Sequence, residues 1–95
     1  MKIMISQPMR GKNSERIRWE RENLVKELQE QGHYVIDTVL DLSENRSPIY
    51  YLAKSIELLD QADAVVFMRG WQDARGCKIE YQIAKDYGKF IMEVQ

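Results

Sequence analysis

Glu80 is the residue whose placement in this sequence asks for a chemical use. In the run from Arg75 to Tyr87, a helical period sets Ile79, Ile83, Ala84 and Tyr87 on one side. Glu80 falls in the middle of that arc. A carboxylate on the core-facing side of a helix is costly unless something there uses it. One turn from a helix start, backbone N–H groups and the positive end of the dipole help hold such a group ionised. A capping or salt-bridged glutamate at the rim of the core gives the same pattern, so the spacing alone leaves both readings open.

A second set of residues points to an anion. Arg10, Lys12 and Arg16 follow the first apolar segment, and Arg69 and Arg75 flank the loop before Glu80. Both segments run from a strand into a helix, where free N–H groups favour a phosphate. Fourteen basic residues on a small surface also place several near any crevice by chance. There is no G-x-G-x-x-G and no P-loop lysine, so dinucleotide and P-loop chemistry are not indicated. With one Cys and one His, no zinc site and no metal or other cofactor is expected. His33 precedes a strand, at the sheet end opposite the loops, and reads as a surface residue. Cys77 has no His to activate it and reads as packing.

The elements that would position these residues alternate. Lys2 to Ser6 is a strand, followed by a turn over Gln7-Pro8-Met9-Arg10-Gly11. Asn13 or Ser14 caps a helix that runs to about Gln31 and stops at Gly32, with Ile17, Leu24, Val25 and Leu28 as its apolar stripe. Trp19 lies off that stripe. Tyr34-Val35-Ile36 is the second strand, with a possible extension through Val39 and Leu40, and Asp41 to Arg46 reads as loop. Ser47-Pro48 starts a second helix with stripe Ile49, Leu52, Ile56 and Leu59, ending near Gln61. The continuous apolar run Ala64 to Met68 suits a strand covered on both faces. A loop bracketed by Gly70 and Gly76 leads into the third helix, which Gly88 ends, and Lys89 to Val94 is an edge strand.

This order predicts an α/β fold: a small open parallel sheet, strand order 2-1-3-4, with helices on both faces and right-handed crossovers, flavodoxin- or Rossmann-like. The crevice then lies outside the C-terminal strand ends, where the loops Gln7–Lys12 and Arg69–Gly76 meet. Ninety-five residues make one domain. Fourteen basic against fifteen acidic residues give a net charge of −1, which speaks against a nucleic-acid partner. No apolar run approaches a membrane span, and Met1 to Ser6 lacks a signal-peptide core. A cytoplasmic protein is the expectation.

Taken together, Met1 to Gly11, Asp63-Ala64-Val65-Val66, Gly70-Trp71 and Arg75-Gly76-Cys77-Lys78-Ile79-Glu80, with Ala84 and Gly88, resemble the nucleoside 2-deoxyribosyltransferase superfamily. The likeness covers nearly the whole chain and is nearest to a short bacterial and phage branch. It implies that Glu80 is a nucleophile that attacks the anomeric carbon of a deoxyribose, expels the base and forms a glycosyl-enzyme. It implies substrate contacts at Gln7, Met9, Arg10, Gly11, Ser55, Gly70, Trp71, Ala74 and Gly76, with Trp71 or Tyr51 as a wall for the base. It also implies a nucleoside or nucleotide ligand, no cofactor, and a homodimer or higher homo-oligomer with shared crevices, for which Trp19 and the aromatic start of the second helix, Tyr50 and Tyr51, are candidate contacts.

The chain departs from the pattern at three places. Met4 stands where active relatives carry an aromatic hydroxyl, Ser55 where they carry an aspartate that serves the leaving base, and Ala74 where they carry a serine. Asp37 or Asp73 could replace the missing acid. The expectation is therefore N-glycosidic cleavage or transfer on a nucleoside or its monophosphate. The alternative is a nucleotide-binding or sensing module that keeps the crevice and has lost the chemistry.

Overall fold

The computed structural model describes residues 1–37 and 46–94. Strand β1 (Lys2–Ser6) leads to helix α1 (Ser14–Glu30), and β2 (Tyr34–Ile36) to α2 (Pro48–Asp60). β3 (Ala64–Phe67) passes through one 3₁₀ turn (Trp71–Asp73) into α3 (Arg75–Asp86), and β4 (Phe90–Glu93) closes the order. The sheet is parallel throughout, with strand order β2-β1-β3-β4. Ile3 pairs with Ala64 and Ser6 with Phe67, so β1 and β3 end side by side. The proposed extension through Val39 and Leu40, and all but the last residue of the Asp41–Arg46 loop, lie outside the described residues.

Alternation along the strands sends side chains to two packed layers. Ile3, Ile5, Ala64 and Val66 meet Leu24, Val25 and Leu28 of α1 on one face. Met4, Val65 and Phe67 meet Leu58 and Leu59 of α2 and Tyr81, Ile83 and Ala84 of α3 on the other. β1 and β3 are buried on both faces, as their apolar runs require, and β2 and β4 are the edges. Asn13 caps α1 by accepting the Arg16 N–H at 2.8 Å, and Ser47 caps α2 by accepting the Tyr50 N–H at 3.2 Å. Gly32 and Gly88 take left-handed backbone angles just past the ends of α1 and α3, where a side chain would be strained.

Three details of the packing differ from the helical stripes. Ile49, placed on the inner stripe of α2, is exposed, because it sits in the first turn, before the helix settles on the sheet. On α3 the inner face is Cys77, Glu80, Tyr81, Ile83 and Ala84, while Tyr87 is exposed and Ile79 is 38% exposed. The arc is thus rotated about one residue from the apolar pattern, and Glu80 stays within it. On α1, Arg21 joins Ile17 and Leu28 among the buried residues, while Trp19 stays outside.

Candidate active site

The C-terminal ends of β1 and β3 are locked by the Met68 N–H donating to the Ser6 carbonyl at 2.9 Å. The two loops that follow them meet. Gly70 has φ +88°, and a Cβ built on it would lie 3.7 Å from the Pro8 ring. Beyond Gly70 the chain makes its 3₁₀ turn and enters α3 through Ala74, which offers no side-chain cap. The first N–H groups of α3 therefore lack the partner that a serine there would supply. Gly76 is not the loop bracket its position suggested. It is the second residue of α3, has ordinary helical backbone, and sits 3.9 Å from Leu52 of α2 when given a Cβ.

Glu80 lies one turn further on, 7% exposed, between α3 and the end of β1. The Ser6 hydroxyl donates to Glu80 Oε1 at 2.9 Å. Burial pushes its carboxyl up from the ordinary 4.5 to about 7, against the Ser6 hydrogen bond and the Arg21 charge, which both favour the ionised form. Burial outweighs both of these partners. Such a carboxyl is poised, since it exchanges its proton in the range where enzymes work. Met4, two residues before Ser6 on the same side of β1, is fully buried among apolar side chains.

On the other side of β1, Gln7 is held by α1. Its amide nitrogen donates to the Ile17 carbonyl and to Glu20 Oε1, both at 3.1 Å, and its Oε1 accepts from Arg21 Nε at 2.8 Å. Both ends of the amide expected to meet a ligand are thus engaged inside the protein. Lys12 and Arg16 both pair with Glu20, at 2.8 Å and 3.5 Å. The Lys12 hydrogen bond leads in holding the Glu20 carboxyl below its ordinary range. Of the five cations read as a phosphate cradle, Arg10, Arg69 and Arg75 remain exposed with no ion pair among the described residues. Gly11, φ +78°, is exposed beside Arg10, and the Met9 carbonyl accepts the Lys12 N–H at 3.1 Å. The Asn13 cap already uses one N–H at the start of α1.

Trp71 is half-buried. Its ring stacks on Tyr81 with centroids 4.5 Å apart and packs against Phe67 at 5.2 Å. Its indole N–H donates to Glu93 Oε1 at 2.8 Å. These contacts pin the loop to β4 and α3, and they occupy one face of the ring proposed as a wall for a base. Tyr51 accepts the Arg46 N–H through its hydroxyl at 3.1 Å and meets Tyr50 edge-on. Ser55 is half-buried on α2, one turn beyond Leu52. Asp73 is exposed in the 3₁₀ turn, and Asp37 is exposed just after β2, 3.4 Å from Arg18.

Cys77 is buried and its thiol is pushed up to about 11, chiefly by burial. It is a packing residue. Two surface grooves, of about 520 Å³ beside α1 and about 370 Å³ beside β2, do not include Glu80.

Ser6 and Arg21 are the site residues that sequence reasoning passed over. Arg21 stands four residues after Ile17 and three before Leu24, on the apolar side of its helix. That is the same anomaly that singled out Glu80. Ser6 follows the apolar run Ile3-Met4-Ile5 at the sheet end where ligands bind.

Among the described residues no helix is long and apolar enough to cross a membrane. No curated protein and no solved structure matches the chain. The family model described as Domain of unknown function (DUF4406) matches residues 1–93, and the protein belongs to that family.

Proposed function

We propose that the protein cleaves or transfers the N-glycosidic bond of a nucleoside or nucleoside monophosphate, with Glu80 as nucleophile. The observation that carries this reading is a carboxylate, the one buried among the described residues, held by Ser6 at the end of β1, beside which the loops after β1 and β3 meet. In the proposed reaction a Glu80 carboxylate oxygen bonds to the anomeric carbon as the bond to the base nitrogen breaks. The electron pair leaves with the base. Water or a second base then attacks the same carbon and releases Glu80, which is retaining chemistry. Arg10, with Met9 and Gly11, meets the phosphate. Gly70, Trp71, Ala74 and Gly76, with Ser55, line the sugar and base. The reaction runs in the cytoplasm and uses no cofactor.

A second reading is a nucleotide-binding module without turnover. It is favoured by Met4, an apolar core residue where an aromatic hydroxyl would be expected, and by the absence of a carboxylate at Ser55. Loss of general-acid help costs about 10²–10⁴-fold.

The deciding experiment is mass spectrometry of the protein after incubation with 2-fluoro-2-deoxyribosyl nucleosides and their monophosphates. A trapped adduct on Glu80, absent in Glu80→Gln, is the expected result. Binding of the nucleotides with no adduct and no base release would establish the second reading instead.

A further inference from the structure

The end of β1 carries two opposed charges on its two sides. Ser6 and Gln7 are consecutive, so their side chains leave the strand on opposite faces. Ser6 reaches α3 and holds Glu80 at 2.9 Å; Gln7 reaches α1 and holds Arg21 at 2.8 Å. Arg21 is 4% exposed. A guanidinium there is costly to bury, and apolar side chains would fill the same helix face without that cost. Arg21 nevertheless stays a cation at neutral pH: burial lowers it to about 10, while Asp37 and Glu80 attract its charge and Arg18 repels it. Arg21 and Glu80 are thus held on opposite faces of the same strand end, and each charge favours the ionised form of the other.

We propose that Arg21 is the positioning residue of the Glu80 site: clamped by Gln7 on the α1 side of β1, its buried guanidinium is the counter-charge that favours the carboxylate form of Glu80 on the α3 side. Gln7 is itself fixed by the Ile17 carbonyl and by Glu20, which Lys12 holds in turn. The clamp therefore ties the charge balance at Glu80 to the loop between β1 and α1. Among the described residues the groups that bear on Glu80 include Ser6 from β1 and Arg21 from α1, and Glu80 in turn bears on Cys77 of its own helix; Asp37 after β2 and Arg18 bear on Arg21. The consequence for catalysis rests on the reading of Glu80 as nucleophile; the test does not.

The test is a carbon-13 NMR titration of the Glu80 side-chain carboxyl in the full chain. Arg21→Met keeps an unbranched apolar stem in place of the arginine's and removes the guanidinium and its charge. It is expected to move the Glu80 midpoint upward by about one pH unit or more, a tenfold weaker acid. Arg21→Lys, which restores the charge, is expected to return most of that shift. A folded Arg21→Met protein with an unmoved midpoint would overturn the proposal, because a merely structural arginine changes stability and not the titration. A second measurement needs no change at Arg21. In the wild type, the Arg21 Nε resonance is expected to step at the Glu80 midpoint, and that step is expected to vanish in Glu80→Gln. A step that persists there, or no step at all, counts against the pairing. Adduct formation is scored separately, so failure of the glycosyl chemistry and failure of the charge pairing give different results.

Discussion

Ser6 Oγ lies 2.9 Å from Glu80 Oε1, a hydrogen bond that joins the first strand to the third helix across 74 residues of chain. It is a weak counterweight to burial, since the Glu80 carboxyl still rises to about 7. Between pH 4.5 and 7 the unfolded chain has lost this proton and the folded chain has kept it, so stability falls as pH rises through that window. The full effect is about 3 kcal/mol. Glu80→Gln has no proton to lose, and its amide oxygen still accepts from Ser6. Urea unfolding of both proteins at pH 5 and pH 8 is expected to show Glu80→Gln gaining stability relative to wild type at the higher pH. A difference that does not change with pH, or a loss of about 2 kcal/mol or more at pH 8, would make Glu80 a structural residue.

Cys77 supplies a control on the same helix face. Its thiol is buried and held up near 11, so almost no thiolate exists at neutral pH. A thiol reagent at pH 7.5 is expected to label it only as fast as the protein opens. Complete labelling within seconds under native conditions would mean that this side of α3 is reachable, contrary to the packing around Glu80.

The fold was legible because its signals are local and repeated. Ser47-Pro48 and Gly32 mark helix ends by backbone chemistry that does not depend on the rest of the chain. The short, β-branched apolar run in β3, ended by Gly70, suits a covered strand. The site was legible in part. Glu80 stood out because a charge on an apolar arc is a contradiction within one helix. The fates of Gln7, Lys12 and Arg16 were not legible. Each is polar and near the right loop, and only the approach of α1 shows that all three turn to Glu20 or Arg21. Gly76 misled for a related reason: a glycine reads as a loop, and here it is helix beside α2.

That redistribution sharpens the phosphate prediction to one residue on the β1 side. With Lys12 and Arg16 committed to Glu20, Arg10 is the free cation of its loop among the described residues. Arg10→Ala is expected to weaken a nucleoside monophosphate by about tenfold or more, the worth of a charged hydrogen bond, and to leave the matching nucleoside nearly unchanged. Calorimetric titration of both ligands checks it. Equal losses for the two would remove Arg10 from the phosphate.

A second copy of the chain is the proposed partner of α1. Trp19 is 74% exposed beside the groove lined by Arg18, Glu22, Val25, Lys26 and Gln29. Arg18, Glu22, Lys26 and Glu30 alternate in sign at four-residue steps along the helix. An antiparallel copy centred at the level of Leu24 sets Arg18 against Glu30 and Glu22 against Lys26, and brings Trp19 to the Gln29 end of the partner groove. Such a contact is isologous, the geometry of a two-fold dimer. Sedimentation at tens of micromolar protein is expected to show a dimer that Trp19→Ser weakens. A wild-type monomer at that concentration would remove both this surface and a shared crevice.

The rate of the proposed reaction carries its own pH signature. The nucleophile is the ionised form of Glu80, and a carboxyl near 7 is about half ionised at neutral pH. Base release per enzyme is therefore expected to rise with pH through about 7, whereas an unperturbed glutamate would have reached its plateau before pH 6. Protonation of the leaving base pulls the other way, and with no aspartate at Ser55 that need falls on Asp37, Asp73 or water. Asp37 is already engaged by Arg18 at 3.4 Å, and Asp73 stands in the 3₁₀ turn next to the entrance of α3. Asp73→Asn is expected to lower the rate by about 10²-fold or more if it is the acid, without moving the Glu80 limb of the profile. Profiles of kcat/KM between pH 5 and 9 for wild type and Asp73→Asn check both statements. A rate already flat from pH 5.5 upward would show that the titrating nucleophile is not Glu80 in the environment described here.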